Sequence, residues 1–228
     1  MIVVVGGIKG GSGKTTVATN LAVQRSLAGR DVLLIDADEQ ESSYTFTQVR
    51  NETIGDAGYT CIKLTGMAVS KETLRLAQKY QDIVIDTGGR DTTSQRAALA
   101  VADLAVVPFK PRSLDVWTMG SVNQVIEAAA AVNTKLQAIT ILNQADARGH
   151  DNDEAAEILQ EGGTLKFSGI ALGNRKAYSN AAAAGRAVCE LVPADPKANA
   201  EVQQLYQYIF DTSTKLKEDQ ESTAQVGE

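Results

Sequence analysis

Residues 3–16 read VVVGGIKGGSGKTT. The valines extend an apolar run from Ile2 that suits a buried strand, because β-branched side chains pack well on a pleated surface. Glycines dominate residues 6–13, and from Thr15 apolar residues return with helical spacing, Val17 and Leu21 among them, until Gly29. A strand, a glycine loop and a helix in immediate succession predict the first unit of a parallel sheet. The rest of the chain repeats that alternation. Residues 32–35, 61–64, 83–85, 104–107, 138–142 and 170–172 read as strands. Residues 71–80, 92–102, 114–132, 153–160 and 197–217 read as helices, the last with Val202, Leu205, Tyr206 and Ile209 on one face. The prediction is an α/β fold, with one doubly wound, mostly parallel sheet and helices on both faces. One domain is expected over 1–218, followed by a polar tail, 219–228, without the apolar positions that would order it.

Composition narrows the function. Of the 228 residues, 43% are hydrophobic and 22% charged, and the net charge is −6. A chain coated with positive charge for nucleic acid is therefore not expected, although a local basic patch is compatible with the total. Cys61 and Cys189 form no CxxC pattern and read as buried thiols in a reducing compartment. With His150 as the one histidine, a multi-histidine metal site is excluded. Met1 leads straight into the first strand, so no signal peptide is expected, and no apolar run reaches membrane-spanning length.

The opening stretch carries the chemistry. The general phosphate-loop pattern is GxxxxGK[ST]; aligned on Gly13, Lys14 and Thr15, its first glycine falls on Ile8, and Gly7 sits one place early. The variant KGGxGKTT is matched throughout residues 9–16. Glycines let backbone N–H groups curl around phosphate oxygens, and the helix N-terminus adds its dipole. Gly10, Gly11, Ser12, Gly13, Lys14, Thr15 and Thr16 are thus the expected nucleotide cradle of a P-loop NTPase. Lys14 would reach the β- and γ-phosphates of ATP, and the Thr15 hydroxyl would ligate Mg²⁺. A strand before the loop and a helix after it make a plain glycine turn the weaker reading.

KGGSGKTT, with its early Lys9, resembles the deviant Walker motif of the ParA/MinD family of ATPases. The resemblance implies that Lys9 reaches across a nucleotide-sandwich homodimer to phosphates in the partner's site, where a second cation would offset developing charge. VLLIDADEQ, residues 32–40, looks like the second motif of that family. The match implies that Asp38 activates the attacking water and that Asp36 supports the magnesium shell; the other reading is that either acid caps the helix after it. Glu39 stands where the family often has proline. DIVIDTGG, residues 82–89, looks like its Walker B strand end, with Asp86 on Mg²⁺ and residues 87–89 sensing the γ-phosphate, though many relatives have proline where this chain has glycine. The resemblance also implies adenine contact by Asn143, and closure of the base pocket by Pro193 and Asp195. It continues through SNAAAAGRAV, residues 179–188, and so covers nearly the whole chain.

The family implies a catalytic set of Lys9, Lys14 and Asp38, metal ligation by Thr15, Asp36 and Asp86, and slow ATP hydrolysis coupled to dimerisation. It implies binding of nonspecific DNA, with an adaptor protein that stimulates hydrolysis and a cargo such as a plasmid or a carboxysome. Arg175 and Lys176 fall where relatives carry DNA-contacting cations, and Arg186, Lys197, Lys215 and Lys217 would extend the patch. The tail KLKEDQESTAQVGE lacks a basic amphipathic face, so no membrane binding is expected. The expected location is cytoplasmic and nucleoid-associated. The alternative is a metabolic P-loop ligase or kinase of the dethiobiotin synthetase type, for which no acceptor-site constellation is visible.

Overall fold

Seven parallel strands form one sheet in the order β3-β2-β4-β1-β5-β6-β7. They are β1 (Ile2–Val5), β2 (Val32–Ala37), β3 (Thr60–Lys63), β4 (Asp82–Thr87), β5 (Leu104–Phe109), β6 (Gln137–Ala145) and β7 (Lys166–Gly173). The computed structural model describes residues 1–111, 119–148, 150–161 and 163–224, with 212–224 as helix backbone only. The helices among the described residues are α1 (Lys14–Leu27), α2 (Ser42–Ile54), α3 (Ala68–Leu76), α4 (Thr93–Leu99), α5 (Met119–Ala130), α6 (Asp151–Gln160), α7 (Lys176–Ala183) and α8 (Pro196–Ala224).

Strands β1, β2, β4 and β5 are buried at every position, as a sheet covered on both faces requires. Val3 and Val5 point into a core with α1, α7 and α8, through Leu21, Ala181, Val202 and Ile209. Ile2 and Val4 point into the other core, with α3, α4, α5 and α6, through Val69, Leu99, Ile126 and Leu159. The connection leaving β1 thus crosses one face and the connection leaving β4 crosses the other. These two strands are neighbours, so the crevice at their C-terminal ends is the switch point where open α/β sheets bind ligands.

All seven strands occur where the apolar runs predicted them. Helix α2 was not predicted, because its sequence SSYTFTQVRNETI has no apolar stripe. It buries Ser43, Phe46, Thr47 and Arg50 instead. Arg50 is 3% exposed and is satisfied by the Ala57 and Gly185 carbonyls and by Glu190 at 2.7 and 2.9 Å. The GRAV turn of residues 185–188 therefore anchors α2. A Cβ at Gly185 would lie 2.5 Å from the Arg50 backbone. The predicted helix over 114–132 is described from Met119 onward, and its first residues lie outside the described ones. The C-terminal helix, expected to Lys217, continues to Ala224.

Candidate nucleotide site

The loop between β1 and α1 has glycine where the backbone demands it. Gly11 and Gly13 take φ of +74° and +86°, a left-handed conformation costly for other residues. Gly13 is also the N-cap of α1, and a Cβ there would collide with the Asn143 amide. Two side chains from the end of β6 fasten the loop. Asn143 Nδ2 donates to the Ser12 carbonyl at 2.6 Å, and Gln144 Nε2 donates to the Gly11 carbonyl at 3.1 Å. Asn143, expected to end its strand and contact adenine, is a buried residue within β6 whose amide holds the loop.

Lys14 is 6% exposed, and its Nζ donates to the Lys9 carbonyl at 2.8 Å. Burial lowers its pKa, while Asp86 and Asp38 pull it back up. The ammonium thus sits in the field of the two acids that the sequence singled out.

Asp86 is fully buried, and neither of its carboxylate oxygens has a hydrogen-bond partner among the described residues. Burial pushes its pKa up to about 7 and the neighbouring Asp36 adds to the rise, opposed by Thr15, Lys14 and Ser43. The Thr15 and Ser43 hydroxyls lie near enough to act on the carboxylate but not in hydrogen-bonding geometry, and Ser43 Oγ is itself buried without a partner. An orphaned carboxylate beside a threonine hydroxyl at a helix N-terminus fits a hydrated Mg²⁺ completed by phosphate oxygens. No group of three or more His, Cys, Asp or Glu able to hold a metal alone occurs among the described residues.

Asp36 pairs in register with Asp86 across β2 and β4. Its two oxygens accept from the Asp38 N–H at 3.1 Å and the Tyr44 N–H at 2.8 Å, so it braces the loop that enters α2. Asp38 is half-buried and faces a cavity of about 490 Å³, lined also by Gly10, Gln40, Gly88, Gly89 and Arg90. The loop after β4 rests on the phosphate loop. A Cβ at Gly89 would lie 2.6 Å from Gly10 N and Cα, and one at Gly88 would lie 3.1 Å from Asp38 Oδ1. Glycine at 89 allows this backbone-to-backbone contact.

Gln95 escaped the sequence reading. It is 2% exposed, and its Oε1 accepts from the Thr87 hydroxyl at 3.3 Å and the Gly7 N–H at 3.4 Å. Thr87 also donates to the Val5 carbonyl. Thr87, expected in the γ-phosphate-sensing loop, is thus a locked residue at the end of β4. A glutamine in an amphipathic helix carries no local signal of such a role.

The remaining expected residues take no part in these contacts. Pro193 is exposed, and Asp195 caps α8 by accepting from the Lys197 and Ala198 N–H groups at 3.1 and 3.0 Å. Arg175, just after β7, is held by Glu201 at 2.5 and 3.0 Å, and Tyr178 donates to the same carboxylate. Lys176 and Lys197 are exposed and Arg186 half-buried. Lys215 and Lys217 fall where only backbone is described.

Residues 3–188 match the CobQ/CobB/MinD/ParA nucleotide binding domain. The chain is 27% identical over 208 residues to Maintenance of carboxysome distribution protein A of Halothiobacillus neapolitanus, spanning 90% of this chain and 94% of the relative. It is 30% identical over 185 residues to the protein of the same name from Gloeobacter kilaueensis, spanning 80% and 81%. Among solved structures, Cyanothece apo McdA superimposes with a TM-score of 0.73 over 89% of this chain and 98% of its own, at 18% identity, a likeness of fold. No helix among the described residues is long and apolar enough to cross a membrane.

Proposed function

This chain belongs to the CobQ/CobB/MinD/ParA family of nucleotide-binding proteins, and we propose that it is an ATPase that dimerises on ATP, binds nonspecific DNA and positions a cargo through an adaptor protein. The observation that carries the proposal is that Lys14 lies in the field of Asp38 and the orphaned Asp86 at the crevice between β1 and β4. The cargo class is a plasmid or a carboxysome-like body, the two named among its relatives and the solved structures of like fold.

The residues divide the work by position. The N–H groups of residues 10–16 and the N-terminus of α1 cradle the phosphates, with Lys14 as their cation. Thr15 and Asp86 would hold Mg²⁺, with Asp36 beside Asp86 in register supporting them. When bound, the ion neutralises charge on the transferred phosphoryl group. Asp38 orients the attacking water from the cavity side. Lys9 completes the partner's site, so that ATP acts as a switch for association as well as a substrate. Asn143, Pro193 and Asp195 serve the base once Asn143 exchanges its bond to Ser12. Lys176, Arg186 and Lys197 offer cations to DNA phosphates without base readout, while Arg175 shapes the turn that presents Lys176.

The test is binding of the purified protein to nonspecific duplex DNA with ATP, with ADP and without nucleotide. Retention with ATP alone, lost steeply as salt rises, is the expected result. Hydrolysis of ATP with no DNA binding in any state would overturn the proposal in favour of a small-molecule ligase.

A further inference from the structure

Gly11 marks the outer bend of the phosphate loop, and the point where a Cβ would project from it lies 3.7 Å from Lys110 Nζ. Lys110 is the first residue after β5, the strand that pairs with β1 on the side away from β4. The side chain is half-buried, and among the described residues it has no hydrogen bond or ion pair. Partial burial of an ammonium with no protein anion is unfavourable, so a site that brings one against a phosphate-binding loop suits an incoming anion.

The charges around the loop reinforce this point. Asp36, Asp38, Glu39 and Asp86 all stand on the β2 and β4 side of the crevice. A polyphosphate approaching Lys14 meets that acidic wall. Lys110 stands on the opposite, β5 side, where a cation would draw the phosphates onto the loop and offset the repulsion.

We propose that Lys110 is a third cation of the phosphate loop, contacting the polyphosphate of bound ATP from the β5 side. This inference rests on the nucleotide-binding reading of the loop. Lys110 binds and positions substrate; it takes part in no bond-making step.

The experiment compares wild type, Lys110→Met and Lys110→Arg, by titration with ATP and Mg²⁺ at several salt concentrations and by melting without nucleotide. Lys110→Met should weaken ATP binding on the order of tenfold and flatten its salt dependence, with melting unchanged. Lys110→Arg should recover most of the affinity, because it restores the charge. Wild-type affinity in Lys110→Met would overturn the proposal and leave the nucleotide site standing. Equal weakening in both variants, with lowered melting temperature, would overturn it in favour of a packing role. Failure of the wild-type protein to bind ATP would instead sink the nucleotide reading itself.

Discussion

The two ends of β4 each bury an aspartate, and the protein treats them in opposite ways. Asp82, at the N-terminal end, is 2% exposed and accepts from Arg25 at 2.7 Å and Arg30 at 3.2 Å, with the Met1 ammonium at 3.3 Å. Asp86, four residues on and on the same face of the strand, has no hydrogen-bond partner among the described residues. Helix α1 runs over both, with Thr15 in its first turn acting on Asp86 and Arg25 in its last turn bound to Asp82. Arg25 also bonds the Tyr206 hydroxyl at 3.0 Å and lies 4.3 Å from the Phe210 ring centroid, which ties α8 to the same end. One strand and one helix thus make a closed structural end and an open chemical end. A buried carboxylate is costly without partners, so the open end marks where a ligand supplies them.

The sharpest way to break this comparison is to neutralise each acid. Asp86→Asn should lower single-turnover ATP hydrolysis by at least about a hundredfold, because the proposed magnesium site would lose its protein carboxylate. Melting of the nucleotide-free variant should rise at the same time. Asp82→Asn should do the reverse, costing about 3 kcal/mol in chemical denaturation as Arg25 is left without its anion, with turnover per folded molecule unchanged. Equal effects of the two variants on either quantity would erase the distinction.

Titration separates the two ends next. The folded pKa of Asp86 is raised from 3.8 to about 7, so the folded state binds the extra proton between those values. Its contribution to stability therefore falls as pH rises from about 4 to about 7. Burial pushes Asp82 up, but Arg25, the N-terminus and Arg30 outweigh it and hold the pKa below 3.8. Its contribution is present above about pH 4 and is lost as pH falls through the lowered value. Denaturation of nucleotide-free protein between pH 5 and 8 should show a decline that Asp86→Asn removes and Asp82→Asn retains.

A smaller effect tests the loop that leaves β4 at the open end. Gly89→Ala places a methyl 2.6 Å from the Gly10 backbone, so one of the two loops must shift. Turnover should fall about tenfold while stability changes by less than about 1 kcal/mol, a balance that steady-state kinetics and melting read together. The smallest effect extends the contrast to cations. Arg175 is closed by Glu201 and Lys176 is exposed. Lys176→Ala should weaken DNA binding a few-fold and reduce its salt slope by about one. Arg175→Ala should instead lower stability, which binding and melting curves on both variants would separate.

The sequence by itself determined the α/β alternation, the positions of the strands, the phosphate loop and the acids at strand ends. These depend on local pattern: apolar runs encode burial, and glycine encodes left-handed backbone. The tertiary structure alone decided that α2 buries an arginine, that Asn143 and Gln144 hold the loop, that Gln95 locks Thr87, that Glu201 closes Arg175 and that Lys110 stands beside Gly11. In most of these the partners lie on different strands or helices, far apart in the chain. Their side chains meet because parallel crossovers bring several strand ends to one edge, a proximity no local periodicity records.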